Sequence, residues 1–280
     1  MSPARALIWL RESFEAIEHG ARAERATASS TTQGIDPGPW VACVVGALAL
    51  VIMEYVGVPA TLSRVLSLYE ARVPGTLWGS EGLYASRWMP LLDLSWWIGW
   101  RLIGFFVLPA LAVRLLLRRP VHEFGLALHS LREALPIYGG LYLLLLPVIL
   151  LAAIRPEFSS YYPFYKRAGE SWFDLLAWEL MYAAHFVALE FFFRGFWLES
   201  SRRALGVYAI AFMVVPYCMI HFTKPLLEVV AAIPAGVVLG LLAMRTRSIW
   251  GGAALHVAVA FTMDAVALLG GAGLPSRWWP

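Results

Sequence analysis

The residues that could do chemistry are ionisable groups set in apolar sequence. Glu190 and Arg194 stand four apart in LEFFFRGFW (189–197), His221 closes PYCMIH (216–221), and His256 lies inside GGAALHVAVAFTMD (251–264). Residues four apart share one helix face, so Arg194 can hold the Glu190 carboxylate in place and ionised toward a bundle interior. A carboxylate so placed can act as a general base toward water, the more so where burial moves its pKa toward neutrality. One imidazole can share that water or protonate a leaving amine, and the other can donate to the oxyanion of a tetrahedral intermediate. Glu190, Arg194, His221 and His256 are therefore the candidate catalytic set, and the chemistry is peptide hydrolysis.

Blander roles stay open for each. Glu190 and Arg194 can be a self-neutralising pair that makes the helix tolerable in lipid. Either histidine can be a hydrogen-bonded core residue. A Glu/His/His set could also ligate zinc, but the HExxH pair on one helix is absent, so no metal and no other cofactor is expected. Six more ionisable residues fall in apolar runs: Glu54, Asp93, Arg101, His185, Glu228 and Asp264. An ionisable side chain at membrane depth is a functional hypothesis by default. For Glu54, Asp93 and Arg101, pairing or snorkelling to the surface accounts for their presence. The others crowd with the candidate set into 185–264, where a transporter would need polar residues along a continuous path.

These side chains must be positioned by membrane helices. The 280-residue chain is 60% hydrophobic and 15% charged, with a mean hydropathy of +0.66, where a soluble domain has about 45–50% and about 25%. Seven runs approach the roughly 20 apolar residues that cross a bilayer: 40–58, 91–117, 134–154, 172–199, 205–222, 225–245 and 248–270. The fold class is all-α, a polytopic transmembrane bundle of about seven spans. Before it, Leu7, Ile8, Leu10, Phe14 and Ile17 recur at helical spacing among charges, which predicts an amphipathic helix over 4–25, on the membrane face or on the body of the protein. A Ser/Thr/Gly/Pro linker follows at 26–39. The loop 59–90, which contains Trp78 and Trp88, has room for a short interfacial helix, and the aromatic loop 155–171 suits the headgroup region.

The formal charge of +3 is scattered over loop arginines, which excludes a nucleic-acid footprint. The Arg and Lys bias on alternate loops favours a cytoplasmic N-terminus. Cys43 and Cys218 lie in apolar runs and read as reduced packing residues. No secretory leader is expected, because the first apolar run begins only near Trp40.

The segments LEFFFRGFW, YCMIHF (217–222) and GVVLGLLAMRTRSIWGGAALHVAV (236–259) resemble the CAAX protease and bacteriocin-processing family of intramembrane glutamic endopeptidases, which includes the type II CAAX prenyl endopeptidases. The family pattern is Glu-Glu-x-x-x-Arg-Gly, then aromatic-x-x-x-His, then His-x-x-x-Asn or similar. Arg194 and Gly195 match the Arg-Gly, Glu190 the second glutamate, Tyr217 the aromatic position, and His221 and His256 the two histidines. The first glutamate, the usual water activator, is Leu189 here, and the asparagine position is Ala260. The resemblance covers about 172–270 and implies an endopeptidase that cleaves membrane-tethered peptides or C-terminal tails. Leu189 and Ala260 keep a second reading open, a catalytically inactive membrane scaffold or immunity-type relative.

The domain reading that follows is a cytoplasmic helix and linker at 1–39, N-terminal spans and loops at 40–171, catalytic core helices at 172–270 and a tail at 271–280. The expected partners are membrane lipids and a peptide or protein substrate with a membrane-associated tail, with no nucleic acid. The composition suggests a GC-rich bacterium, hence a bacterial inner membrane. For Glu190 and His221 to meet, residues 172–179 would have to run along the interface, with a bend before Met181.

Overall fold

The computed structural model describes residues 3–29, 35–73, 82–83, 86–128 and 131–280; Trp78 lies outside them. The chain folds into α-helices: α1 (Pro3–Ser29), α2 (Gly38–Tyr55), α3 (Pro59–Arg72), α4 (Met89–Leu115), α5 (Leu131–Ala152), α6 (Pro156–Tyr161), α7 (Trp172–Leu205), α8 (Tyr208–Met219), α9 (Leu226–Thr246) and α10 (Trp250–Gly270). Among the described residues, α2, α4, α5, α7, α9 and α10 are six helices long and apolar enough to cross a membrane. The all-α polytopic bundle is the fold, and α3 is the short helix that the loop 59–90 left room for.

The run 205–222 differs from expectation. It gives only α8, whose 12 residues extend about 18 Å at 1.5 Å per residue, against about 30 Å of hydrocarbon. The helix can start only after Gly206, whose φ of +56° suits a residue without a Cβ. It ends three residues after Pro216, at Met219, and a turn follows.

Helix α7 differs too. No bend precedes Met181: the helix runs unbroken through 34 residues from Trp172. The signal for its start is a capping box, Ser171-x-x-Asp174. The Asp174 amide donates to Ser171 Oγ at 3.1 Å, and Ser171 Oγ donates to Asp174 Oδ2 at 2.6 Å. With no proline in 172–205, nothing stops the helix. The irregularity comes later, as a π-helical stretch at Phe191–Trp197.

Two compact units make up the chain. The first comprises 1–47, 108–138 and 189–253. In it α1 lies on the body of the protein, burying Ser13, Ile17 and Ala21 at i, i+4, i+8 spacing. Arg245 of α9 stacks over Trp9 at 4.6 Å and donates to Ser13 Oγ at 2.6 Å. Arg25 caps the end of α7 by donating to the Arg203 and Ala204 carbonyls at 3.1 Å. These bonds carry α1 four residues past its predicted end.

The second unit comprises 48–107, 139–188 and 254–280. Its core is aromatic: Tyr165, Trp178 and Tyr182 pack with Ala168 and Ala260. Trp178 stacks on Tyr182 at 4.5 Å and on Phe164 at 5.6 Å. The aromatic loop 155–171 is folded inward, with Phe158, Tyr162 and Tyr165 all buried.

Candidate functional site

Glu190 is the residue at which α7 passes from α- to π-helical hydrogen bonding. Its side chain is 1% exposed and that of Arg194 is 0% exposed. Arg194 Nη1 donates to Glu190 Oε1 at 2.9 Å, so the pair expected from the i,i+4 spacing is formed. Taking two charges out of water is costly, and removal of either partner strands the other. Further contacts inside the first unit support this one. The second carboxylate oxygen, Oε2, lies against Gly252, where any Cβ would overlap it. Gly252 is in the first turn of α10, so the carboxylate rests at a helix N-terminus, which carries partial positive charge. Tyr138 of α5 packs over Gly251 and interacts electrostatically with both Glu190 and Arg194.

The Arg194 guanidinium lies over the ring of Tyr217 at 4.2 Å, a cation–π contact made strong by desolvation. Tyr217 meets the His221 ring at 4.8 Å. His221 stands in the turn just after α8, and its Nδ1 lies 2.8 Å from the Tyr217 carbonyl oxygen. A carbonyl only accepts, so Nδ1 carries the hydrogen and Nε2 is the basic nitrogen. Because α8 is short, His221 joins the Glu190–Arg194–Tyr217 series without any bend in α7.

His256 belongs to the second unit. Its ring stacks on Phe186 at 5.4 Å with 4° between planes. Ala260, one turn on, is buried in the aromatic core. Asp264 is fully buried and accepts from the Trp178 indole at 2.7 Å, which makes Trp178 a core residue and not an interfacial one.

Of the remaining candidates, Asp93 has a buried Oδ1 without a hydrogen-bond partner among the described residues, and the others are engaged in packing or pairing. His185 sits among Trp97, Phe105, Tyr182 and Phe186, with ring centroids 5.3–6.1 Å away. Arg101 stacks over Trp97 at 3.8 Å and interacts with Glu54. Glu228 pairs with Lys224 one turn away. Among the described residues, no three His, Cys, Asp or Glu side chains converge as a metal site.

Sequence reasoning overlooked Gly252 and Tyr138. A signal for the first was present, since two glycines at a helix start (Gly251, Gly252) mark a close approach. Tyr138 had none. It also missed a charged cluster at the end of α7, where Glu199 takes bonds from Arg202 and Arg247, each at 3.0 Å, and from Arg119 at 3.4 Å.

Residues 171–262 match the family described as Type II CAAX prenyl endopeptidase Rce1-like. That segment holds Glu190, Arg194, His221 and His256, and the match supports the assignment to the CAAX protease and bacteriocin-processing family. The family is one of proteases, and with six membrane-length helices the chain is an integral membrane protein. No curated protein and no solved structure matches the chain.

Proposed function

We propose that the protein is an intramembrane endopeptidase in which Glu190 takes the base role that the family pattern gives to its first glutamate. The observation that carries this reading is the divided carboxylate of Glu190. Oε1 is held by Arg194 at 2.9 Å, while Oε2 lies where the lack of a side chain at Gly252 leaves room. A buried carboxylate fixed at one oxygen by Arg194 and resting at the other on the backbone of Gly252 is a held base that can polarise a water reaching it. His221, with Nε2 as its basic nitrogen, shares the proton or delivers it to the leaving amine. His256 matches the second histidine of the family pattern, and on that resemblance the role of oxyanion donor falls to it. Arg194 is a positioning residue that acts through Glu190.

On this reading 172–270 is the catalytic core, 40–171 the spans that flank it, 1–39 a cytoplasmic segment and 271–280 a tail. The substrate is a peptide or protein with a membrane-associated tail. The setting is a bacterial inner membrane with the N-terminus in the cytoplasm.

The test is Glu190→Gln in vesicles containing the protein and a membrane-tethered reporter peptide. The expected result is a fall in cleavage of at least about 100-fold per folded molecule, together with a lower protein level because the substitution strands Arg194. Unchanged cleavage overturns the assignment of Glu190. A second reading, a non-catalytic scaffold or immunity-type relative, is favoured by Leu189 and Ala260, both buried apolar residues where the family pattern has carboxylate and amide. It requires that the wild-type protein cleave nothing in the same vesicles.

A further inference from the structure

We infer that Arg194 carries a bound water in a small polar cavity at the charged end of the first unit, and that this cavity is where bulk water reaches the buried ion pair. Two observations on one residue lead there. The Arg194 side chain is 0% exposed and spends only Nη1 on Glu190. Its Nε and Nη2 have no hydrogen-bond acceptor among the described residues. Buried guanidinium hydrogens left without acceptors are rare, because each forfeits its hydration.

Arg194 is also one of the residues that line a cavity of about 10 Å³, with Glu123, Glu199, Ala243, Arg247 and Ser248 around it. That is room for about one water, which needs two to four polar partners. Arg194 supplies donors. Acceptors are at hand in the Glu199 carboxylate and in Ser248 Oγ, which gives its own hydrogen to the Ala127 carbonyl at 2.9 Å, accepts from the Trp250 amide at 3.4 Å and has a second lone pair to offer. The wall includes partly exposed side chains, Glu123 at 43% and Arg247 at 39%, so water can exchange past them.

Charge around the cavity is balanced. Glu199 faces Arg119, Arg202 and Arg247, Glu123 also pairs with Arg119, and Glu24 pairs with Arg202. An ordered water fits this balance, whereas an anion would need an excess of cations. The value of the water to hydrolysis rests on the endopeptidase reading; its occupancy does not.

The test is twofold and uses no substrate. An experimental structure of the full chain in lipid, at a resolution that shows ordered waters, is expected to place one within about 2.7–3.2 Å of Nε or Nη2. Clear density without it overturns the proposal. Independently, Ala243→Val narrows the cavity. If the space is a dry void, filling it leaves the melting temperature unchanged or raises it, and the proposal fails. If it holds water, the variant strands the guanidinium, and the melting temperature falls by about 2–4 °C or more.

Strain from the added methyls would also lower it, so the substitution is repeated in a Glu190→Gln/Arg194→Met background. The loss is expected to shrink by at least half there; an equal loss in both backgrounds overturns the proposal. Should that background not fold, the density measurement decides alone. Cleavage enters neither measurement, so failure of the Glu190 assignment and failure of the water site are separately visible.

Discussion

The two compact units bury their carboxylates by different means. In the first unit the partner of Glu190 is a guanidinium, with the first turn of α10 against the other oxygen. In the second, Asp264 is just as buried but takes a hydrogen from the Trp178 indole. Asp174 combines neutral donors, Ser171 Oγ and the Tyr165 hydroxyl, with Arg87 at 2.9 Å. An indole satisfies an acceptor without adding a second charge to desolvate. A guanidinium brings its own desolvation cost and more donors than one carboxylate can take. The difference teaches how charge is distributed. The arginine-based site holds a second charge with donors beyond those that Glu190 takes, whereas the indole-based one takes a neutral donor from an aromatic core.

The comparison can be broken most forcefully at Arg194. Arg194→Leu leaves Glu190 charged, buried and alone, and is expected to cost about 3–5 kcal/mol, read as a large drop in melting temperature or in accumulated protein. A Glu190→Gln second change should recover a substantial part of it; no recovery would mean that Arg194 matters for packing on Tyr217 and not for the pair. Next is Gly252→Ala. Its Cβ meets the Glu190 carboxylate, and overpacking of this kind costs about 1–3 kcal/mol. Gly252→Ala with a wild-type melting temperature would show that the carboxylate does not rest on α10.

Trp178→Phe tests the other unit. It keeps an aromatic ring and removes the indole hydrogen from Asp264, at about 1–3 kcal/mol for the buried acceptor. A smaller loss than that of Arg194→Leu sharpens the contrast between neutral and charged partners, and a larger one reverses it.

The smallest effect concerns pH. In the loop before α7, the hydrogen bonds from Arg167 hold the Glu170 carboxyl below its ordinary value, helped by Arg87. A depressed carboxylate contributes stability above its unfolded pKa, and that contribution is lost as pH falls through the lower folded pKa. Glu170→Gln is therefore expected to lower the melting temperature slightly at neutral pH. It should flatten the decline below about pH 4.5, near the model-compound value. The side chain is 38% exposed, so solvent screening keeps the effect within about 1 kcal/mol.

Much of this was legible in the chain itself. Apolar length gives six of the seven expected spans, 205–222 being the exception, and the Glu190/Arg194 spacing gives their pair, because helical periodicity is a local rule. The amphipathic pattern of 4–25 gives α1, although only its contacts with Arg245 and with the end of α7 show that it lies on the protein and not on lipid. The unbroken start of α7 was also readable, in Ser171-x-x-Asp174, but the need to bring Glu190 near His221 pointed to a bend. That need vanished once α8 proved to be 12 residues long.

What the sequence by itself determined is what depends on near neighbours: helices, their lengths, and which ionisable residues share a face. Tertiary structure decided which elements far apart in the chain approach one another. It set the first turn of α10 against Glu190, slid Tyr217 under Arg194, gave Asp264 an indole and Ala260 an aromatic pocket. It also set one buried arginine, two of whose nitrogens find no acceptor among the described residues, in the wall of a small cavity. Such approaches depend on close packing of side chains from several helices, and no period or spacing along the chain records them.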